Sequence, residues 1–183
     1  MDLKRWLLIA TALFAGGLVL GLMLPESAAE EEINSFANIA GEAADLTGLG
    51  LFIFLLLNNA FAVSISFFLS PLFLILPAIS LLMNGAVISL VSRAVLEQSS
   101  VGFLAAGILP HGIIEIPAYL LAHAAALSFG FTILRGLFKR DRRESISPAL
   151  RTSLRWLGIA LLLLIPAALI ESFITPLLIG LFE

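Results

Sequence analysis

The sequence predicts an all-α membrane protein, a polytopic transmembrane helical bundle of about five spans with a re-entrant or half-helix and an amphipathic surface helix. Three observations carry this. Of 183 residues, 60% are hydrophobic and only 13% are charged, far above the apolar share of a water-soluble domain. Apolar stretches of about 20 residues, long enough to cross a hydrocarbon core of about 30 Å, recur along the chain. The charges are also segregated, acidic residues gathering in one segment and basic residues in another. One integral membrane domain, residues 1–183, accounts for the chain and leaves little room for a soluble catalytic domain. There are no cysteines, which excludes disulfides, thiolate metal sites and cysteine nucleophiles.

Span 1 is predicted at residues 6–24, after Lys4-Arg5. Ser27-Ala28-Ala29 raises the alternative of a cleaved signal peptide, but the apolar run exceeds a usual signal core. It also carries Gly17 and Gly21 at a small-xxx-small spacing that admits a close helix neighbour. Residues 25–47 are expected to form an external amphipathic segment. Ser27 and Glu30 fit a capping box, Ile33, Phe36, Ala40 and Ala44 form one stripe, and Glu26, Glu30, Glu31, Glu32, Glu42 and Asp45 supply a solvated acidic face.

Spans 2 and 3 are predicted at residues 48–69 and 71–96, a tight hairpin turning at Ser70-Pro71, because proline removes a donor and restricts the residue before it. The next apolar run, 101–134, would measure about 50 Å as a helix, too long for one upright span. Pro110 and Gly112 fall inside it, so a half-helix at 101–109, a break at Pro110 and span 4 at 111–134 are expected. Residues 135–155 form a basic loop carrying seven of the ten Lys and Arg residues: Arg135, Lys139, Arg140, Arg142, Arg143, Arg151 and Arg155. By the positive-inside rule this loop and the N-terminus face the cytoplasm. Span 5, at 156–182, then places the C-terminus outside. The loop lacks interleaved aromatics for base stacking, so anionic lipid accounts for its charge and nucleic acid is not expected.

Ionisable residues inside membrane spans are costly, and they mark either a polar lock between helices or a functional site. LPHGIIEIPAYLLAHAAAL, residues 109–127, holds His111, Glu115 and His123. His111 and Glu115 lie four positions apart, about 40° around a helix, and share a face; His123 lies about 18 Å beyond His111 and about 120° around the axis. If Pro110 opens the helix, His111 sits in a first turn with free N–H groups, and Pro117 frees the Ile113 carbonyl one turn from Glu115. Glu171, midway along span 5 between Pro166 and Pro176, is the expected partner across the bundle. The four prolines are the expected helix breaks. Asn58, Asn59 and Asn84 complete the expected intramembrane cluster, either as interhelical glue or as orienters of the His111 and Glu115 site. His123 reads as a satisfied core or interface histidine outside it.

In order, an apolar first span, an acidic segment, LLLNNAF, LLMNGAV, PHGIIEIPA and IESFITP resemble the stage II sporulation protein M family of polytopic membrane proteins over nearly the whole chain. The matching positions are Asn58, Asn59, Asn84, Gly85, Pro110, His111, Gly112, Glu115, Pro117, Ala118, Glu171 and Pro176. His123 stands where the resemblance implies a small residue. The resemblance implies a membrane component that acts with partners whose extracellular domains cut peptidoglycan, and that has no hydrolase chemistry of its own. Relatives occur in organisms that form no endospores, so the fold transfers better than the biology.

The expected function is therefore a non-enzymatic membrane scaffold or assembly partner in the cell membrane, in contact with lipid, other membrane or envelope proteins, or further copies of itself. The alternative is a small transporter or channel for a cation or proton using His111, Glu115 and Glu171, although no inverted repeat is visible. A third reading is an intramembrane metalloprotease with zinc on the same three residues. The HExxH spacing is absent, and no separate carboxylate stands out as a general base. A divalent cation such as zinc is the one cofactor these residues suggest.

Overall fold

The computed structural model describes residues 3–25, 46–138 and 144–182. The described residues form helices α1 (Leu3–Met23), α2 (Leu49–Leu69), α3 (Ile75–Gln98), α4 (Val101–Phe138) and α5 (Ile146–Leu169), then a π-helical turn (Ile170–Ile174) and a short α6 (Thr175–Ile179). Five helical stretches, with α5 to α6 counted as one, are long and apolar enough to cross a membrane. The chain is a multi-pass membrane protein. Of the surface helix expected at 25–47, residues 26–45 lie outside the described residues, as does the centre of the basic segment, 139–143.

Helices in lipid gain little from excluding water, so close packing and interhelical hydrogen bonds hold them together. The α1–α3 contact follows this rule. A Cβ on Gly17 would fall on the Leu82 carbonyl, one on Gly21 on the Ala86 carbonyl, and one on Gly85 on the Phe14 carbonyl. Where the backbones touch, the Ser89 hydroxyl donates to the Leu18 carbonyl at 2.6 Å. The two helices run parallel, and the Arg93 guanidinium caps the end of α1 through the Leu24 carbonyl at 3.0 Å. The α2–α3 hairpin turns as expected at Ser70-Pro71, with the Ser70 hydroxyl bonded to the Phe67 carbonyl at 2.8 Å.

The largest departure from expectation is α4. No break occurs at Pro110 and no separate half-helix exists at 101–109: one helix of 38 residues runs from Val101, whose first turn is capped by Ser100, to Phe138 through Pro110 and Pro117. Each proline removes one backbone bond, whereas breaking the helix would strip several polar groups in a medium with no water to replace them. Of the expected breaks, Pro117 leaves the helix continuous too, and it lies with Ile113 on the exposed side of α4. The carbonyl it frees therefore faces away from Glu115. The basic segment is also less of a loop than expected, because α4 continues past Arg135 and α5 begins before Arg151 and Arg155.

At about 57 Å long, α4 is the axis of the bundle. Its alanines 118, 122, 124, 125 and 126 are almost fully buried, and these small side chains let α2, α5 and α1 approach. Val63, Phe67, Leu157, Ala160 and Leu164 pack on one side, with Ala10, Phe14 and Leu81 on the other. Large apolar residues such as Leu22, Phe61, Leu72 and Leu162 point outward, as a lipid-facing surface requires.

Candidate intramembrane polar site

Four helical segments bring polar side chains together along the apolar spans of the bundle. α4 supplies His111 and Glu115, one turn apart, with His111 Nε2 3.8 Å from Glu115 Oε2 and both side chains partly buried at 14% and 26% exposure. α2 supplies Asn59, whose amide donates to Glu115 Oε1 at 2.7 Å. Glu171 comes from the π-helical turn and Thr175 from the start of α6, where its hydroxyl lies 3.4 Å from His111 Nδ1. One ligand atom from each of His111, Glu115 and Glu171 lies within 4.8 Å of the other two.

The local sequence explains the π-helical turn. Pro166 lies inside α5 and Pro176 at the start of α6, and Pro176 has no N–H to give the Ser172 carbonyl. Between them the ladder widens, with the Thr175 N–H reaching the Ile170 carbonyl five residues back, and the Ser172 hydroxyl bonds the Ala168 carbonyl at 2.7 Å. Such single π-turns are rare in helices and gather at functional sites. The irregularity expected from the flanking prolines falls on Glu171 itself, whereas Pro166 does not interrupt its helix.

The other expected site residues go elsewhere. Asn84 bonds the Tyr119 hydroxyl and, at 3.0 Å, the Ser80 carbonyl. His123 is fully buried: its Nδ1–H donates to the Tyr119 carbonyl at 2.9 Å, its Nε2 faces the Ser80 hydroxyl at 3.1 Å, and its ring lies 4.0 Å from that of Tyr119. The Tyr119 and Ser80 hydroxyls are 2.5 Å apart. Thus Asn84 belongs to a second polar group with Ser80, Tyr119 and His123. Asn58 belongs to neither: it is exposed on the outer face of α2 and makes no side-chain hydrogen bond with a described residue.

Sequence reasoning missed Ser80, Tyr119 and Thr175. Tyr119 carried a readable signal, since it is the chain's sole tyrosine and lies at the third position of a four-residue spacing, His111, Glu115, Tyr119, His123. Each step of four turns about 40°, so the four residues form a slanting stripe down the central helix. The hydroxyls of Ser80 and Thr175 carry no such signal, because Ser and Thr in membrane helices commonly bond their own backbone.

The arrangement of these residues around one long central helix can be set beside known proteins. Residues 10–176 match the family described as Stage II sporulation protein M. The chain belongs to that family. It also resembles an uncharacterized protein of Methanocaldococcus jannaschii, 29% identical over 99 residues, which are 54% of this chain and 56% of the relative. The match thus spans little more than half the length of that relative. No solved structure matches the chain. Family membership and the five apolar helices agree with the resemblance read from LLLNNAF, PHGIIEIPA and IESFITP.

Proposed function

We propose that this chain is a non-enzymatic membrane assembly component, and that the outer face of α2 docks a transmembrane helix of a partner protein. One observation carries the reading. Asn58 sits near the middle of an apolar span with its amide exposed and without a side-chain hydrogen bond to any described residue, in line with the exposed Phe61 and Ile65 one and two turns on. An amide in hydrocarbon loses hydrogen bonds that nothing in lipid returns. A second helix carrying a polar side chain restores them, and polar residues join membrane helices in this way. Asn59, one position later and partly buried, already has Glu115. The sequence therefore holds two adjacent amides that serve different interfaces.

A photo-crosslinking amino acid at Phe61, with Leu162 as a control on the exposed face of α5, tests this in membranes of producing cells. The expected result is a discrete adduct from position 61, with a second copy or another membrane protein, that Asn58→Leu weakens about fivefold or more, as the loss of a membrane hydrogen bond of about 1 kcal/mol predicts. Absence of a discrete adduct at 61, or one indifferent to Asn58→Leu, overturns the proposal.

The second reading, a proton or cation path, is favoured by the stripe from His111 through Glu115 and Tyr119 to His123 and by the π-helical turn at Glu171. Purified protein in vesicles loaded with a pH-sensitive dye tests it. A dissipated proton gradient that Glu115→Gln blocks would favour transport; an undisturbed gradient counts against it.

A further inference from the structure

The geometry points to a divalent transition-metal site, a zinc site in the first instance, formed by His111 Nε2, Glu115 and Glu171 between α4 and the π-helical turn. This goes beyond the assembly reading and does not rest on it, since Asn58 lies on a different face of the bundle.

The donor set fits such an ion. One imidazole and two carboxylates are nitrogen and oxygen ligands, which suit zinc, manganese or ferrous iron, and zinc is commonly held by His and Glu. Three protein ligands leave a fourth position for water or a partner's side chain. Donor atoms around a tetrahedral zinc lie about 3.3 Å apart, given bonds of about 2.0 Å. The 4.8 Å limit on the present separations closes with side-chain shifts of about an ångström. His111 and Glu115 are one turn apart on one helix, so their pairing needs no change in helix packing.

The outer ring of contacts is what distinguishes this site from a chance meeting of polar groups. A metal-bound histidine uses one ring nitrogen and is oriented through the other. Here Nδ1 faces the Thr175 hydroxyl at 3.4 Å while Nε2 faces Glu115. Glu115 is held the same way, with Asn59 on Oε1 and Oε2 turned toward His111. His111 and Glu115 are thus each anchored by a neutral polar side chain on another helix, and their other donor atoms face each other.

Charge balance supports the same conclusion. Two carboxylates and a neutral imidazole carry a formal charge of −2 when they act as ligands, and a divalent ion cancels it. Neutrality matters far more in a membrane interior than at a surface. Among the described residues no Lys or Arg approaches this cluster in an ion pair; His111 is the sole basic partner of Glu115. The π-helical turn adds a mechanical reason, because a widened turn places Glu171 between two prolines where backbone can adjust to the ion without breaking a regular helix.

The test uses tag-free, full-length protein in detergent, stripped with EDTA and titrated with zinc against a chromophoric chelator. One equivalent should bind saturably, and zinc should raise the melting temperature. Glu115→Gln and Glu171→Gln, which keep size and hydrogen bonding, should each weaken binding tenfold or more and abolish the thermal shift. X-ray absorption of the wild-type zinc adduct, which needs no variant to fold, should show a nitrogen and oxygen shell containing imidazole. Failure of the wild type to bind one equivalent, unchanged affinity in both glutamine variants, or a shell without imidazole each overturns the site.

Discussion

Asn58 and Asn59 are neighbours in sequence, the first exposed and the second partly buried, and only Asn59 has a side-chain partner among the described residues, because adjacent helical residues point about 100° apart. One bonds Glu115 at 2.7 Å and the other faces outward; which does which depends on how α2 is rotated against α4, and only tertiary packing fixes that. The pairing of His111 with Glu115 was legible from their spacing alone, since four residues return a helix to the same face. The group formed by Ser80, Asn84, Tyr119 and His123 was not, because α3 meets α4 there through hydroxyls that sequence cannot place. His123 illustrates the energetic difference between the two groups. It fills a sealed space and its Nδ1–H donates to the Tyr119 carbonyl, so His123→Ala leaves a cavity and unsatisfied partners. A loss of about 2–4 kcal/mol is expected. In zinc-free protein Glu171→Gln should cost less than about 1 kcal/mol, since amide and carboxyl are close in size and both accept hydrogen bonds. Thermal melting of both variants in one detergent checks the order. A Glu171→Gln variant less stable than His123→Ala would mean that the glutamate cluster, not the buried histidine, holds the bundle centre together.

At the scale of elements, the five apolar stretches were legible because length and hydropathy set them directly. The expected break at Pro110 fails for a physical reason: a proline costs one hydrogen bond, and a 38-residue helix with flanking turns packed in the bundle tolerates that more readily than exposed backbone in lipid. The same residue type has another effect around Glu171, where two prolines ten positions apart leave a segment whose ladder shifts to π-helical spacing. The glycines of α1 and α3 make the sharpest prediction here. Added Cβ atoms at Gly17, Gly21 or Gly85 would meet backbone of the facing helix, not the movable end of a side chain. Gly17→Leu with Gly21→Leu should therefore separate α1 from α3 and lower the melting temperature markedly, while Gly158→Leu, where a Cβ meets nothing within 4 Å, should leave it nearly unchanged. Similar melting curves for the two would contradict the close contact of α1 with α3. Gly16 offers a second control on α1 itself, because a Cβ there would make only ordinary contact with the Leu82 side chain, at 3.6 Å.

For the whole molecule, the five apolar helical stretches among the described residues would, if each crosses once, put the two ends of the chain on opposite sides, and every proposed partner depends on which side each loop faces. The proposed docking face on α2 would accept a transmembrane helix inserted in either orientation, whereas the extracellular domain of a partner would meet only loops exposed outside. Charge is the signal that orients the bundle. The basic residues between α4 and α5 and the Lys4-Arg5 pair should lie in the cytoplasm, with the acidic segment 25–47 and the C-terminus outside. The absence of cysteine makes this directly measurable. Single cysteines replace Ser35, in the acidic segment, and Ser147, exposed near the start of α5, and intact cells are treated with a membrane-impermeant maleimide before and after permeabilisation. Labelling of position 35 in intact cells, with position 147 labelled only after permeabilisation, is the predicted result; labelling of 147 but not 35 in intact cells would invert the protein in the membrane and contradict the account.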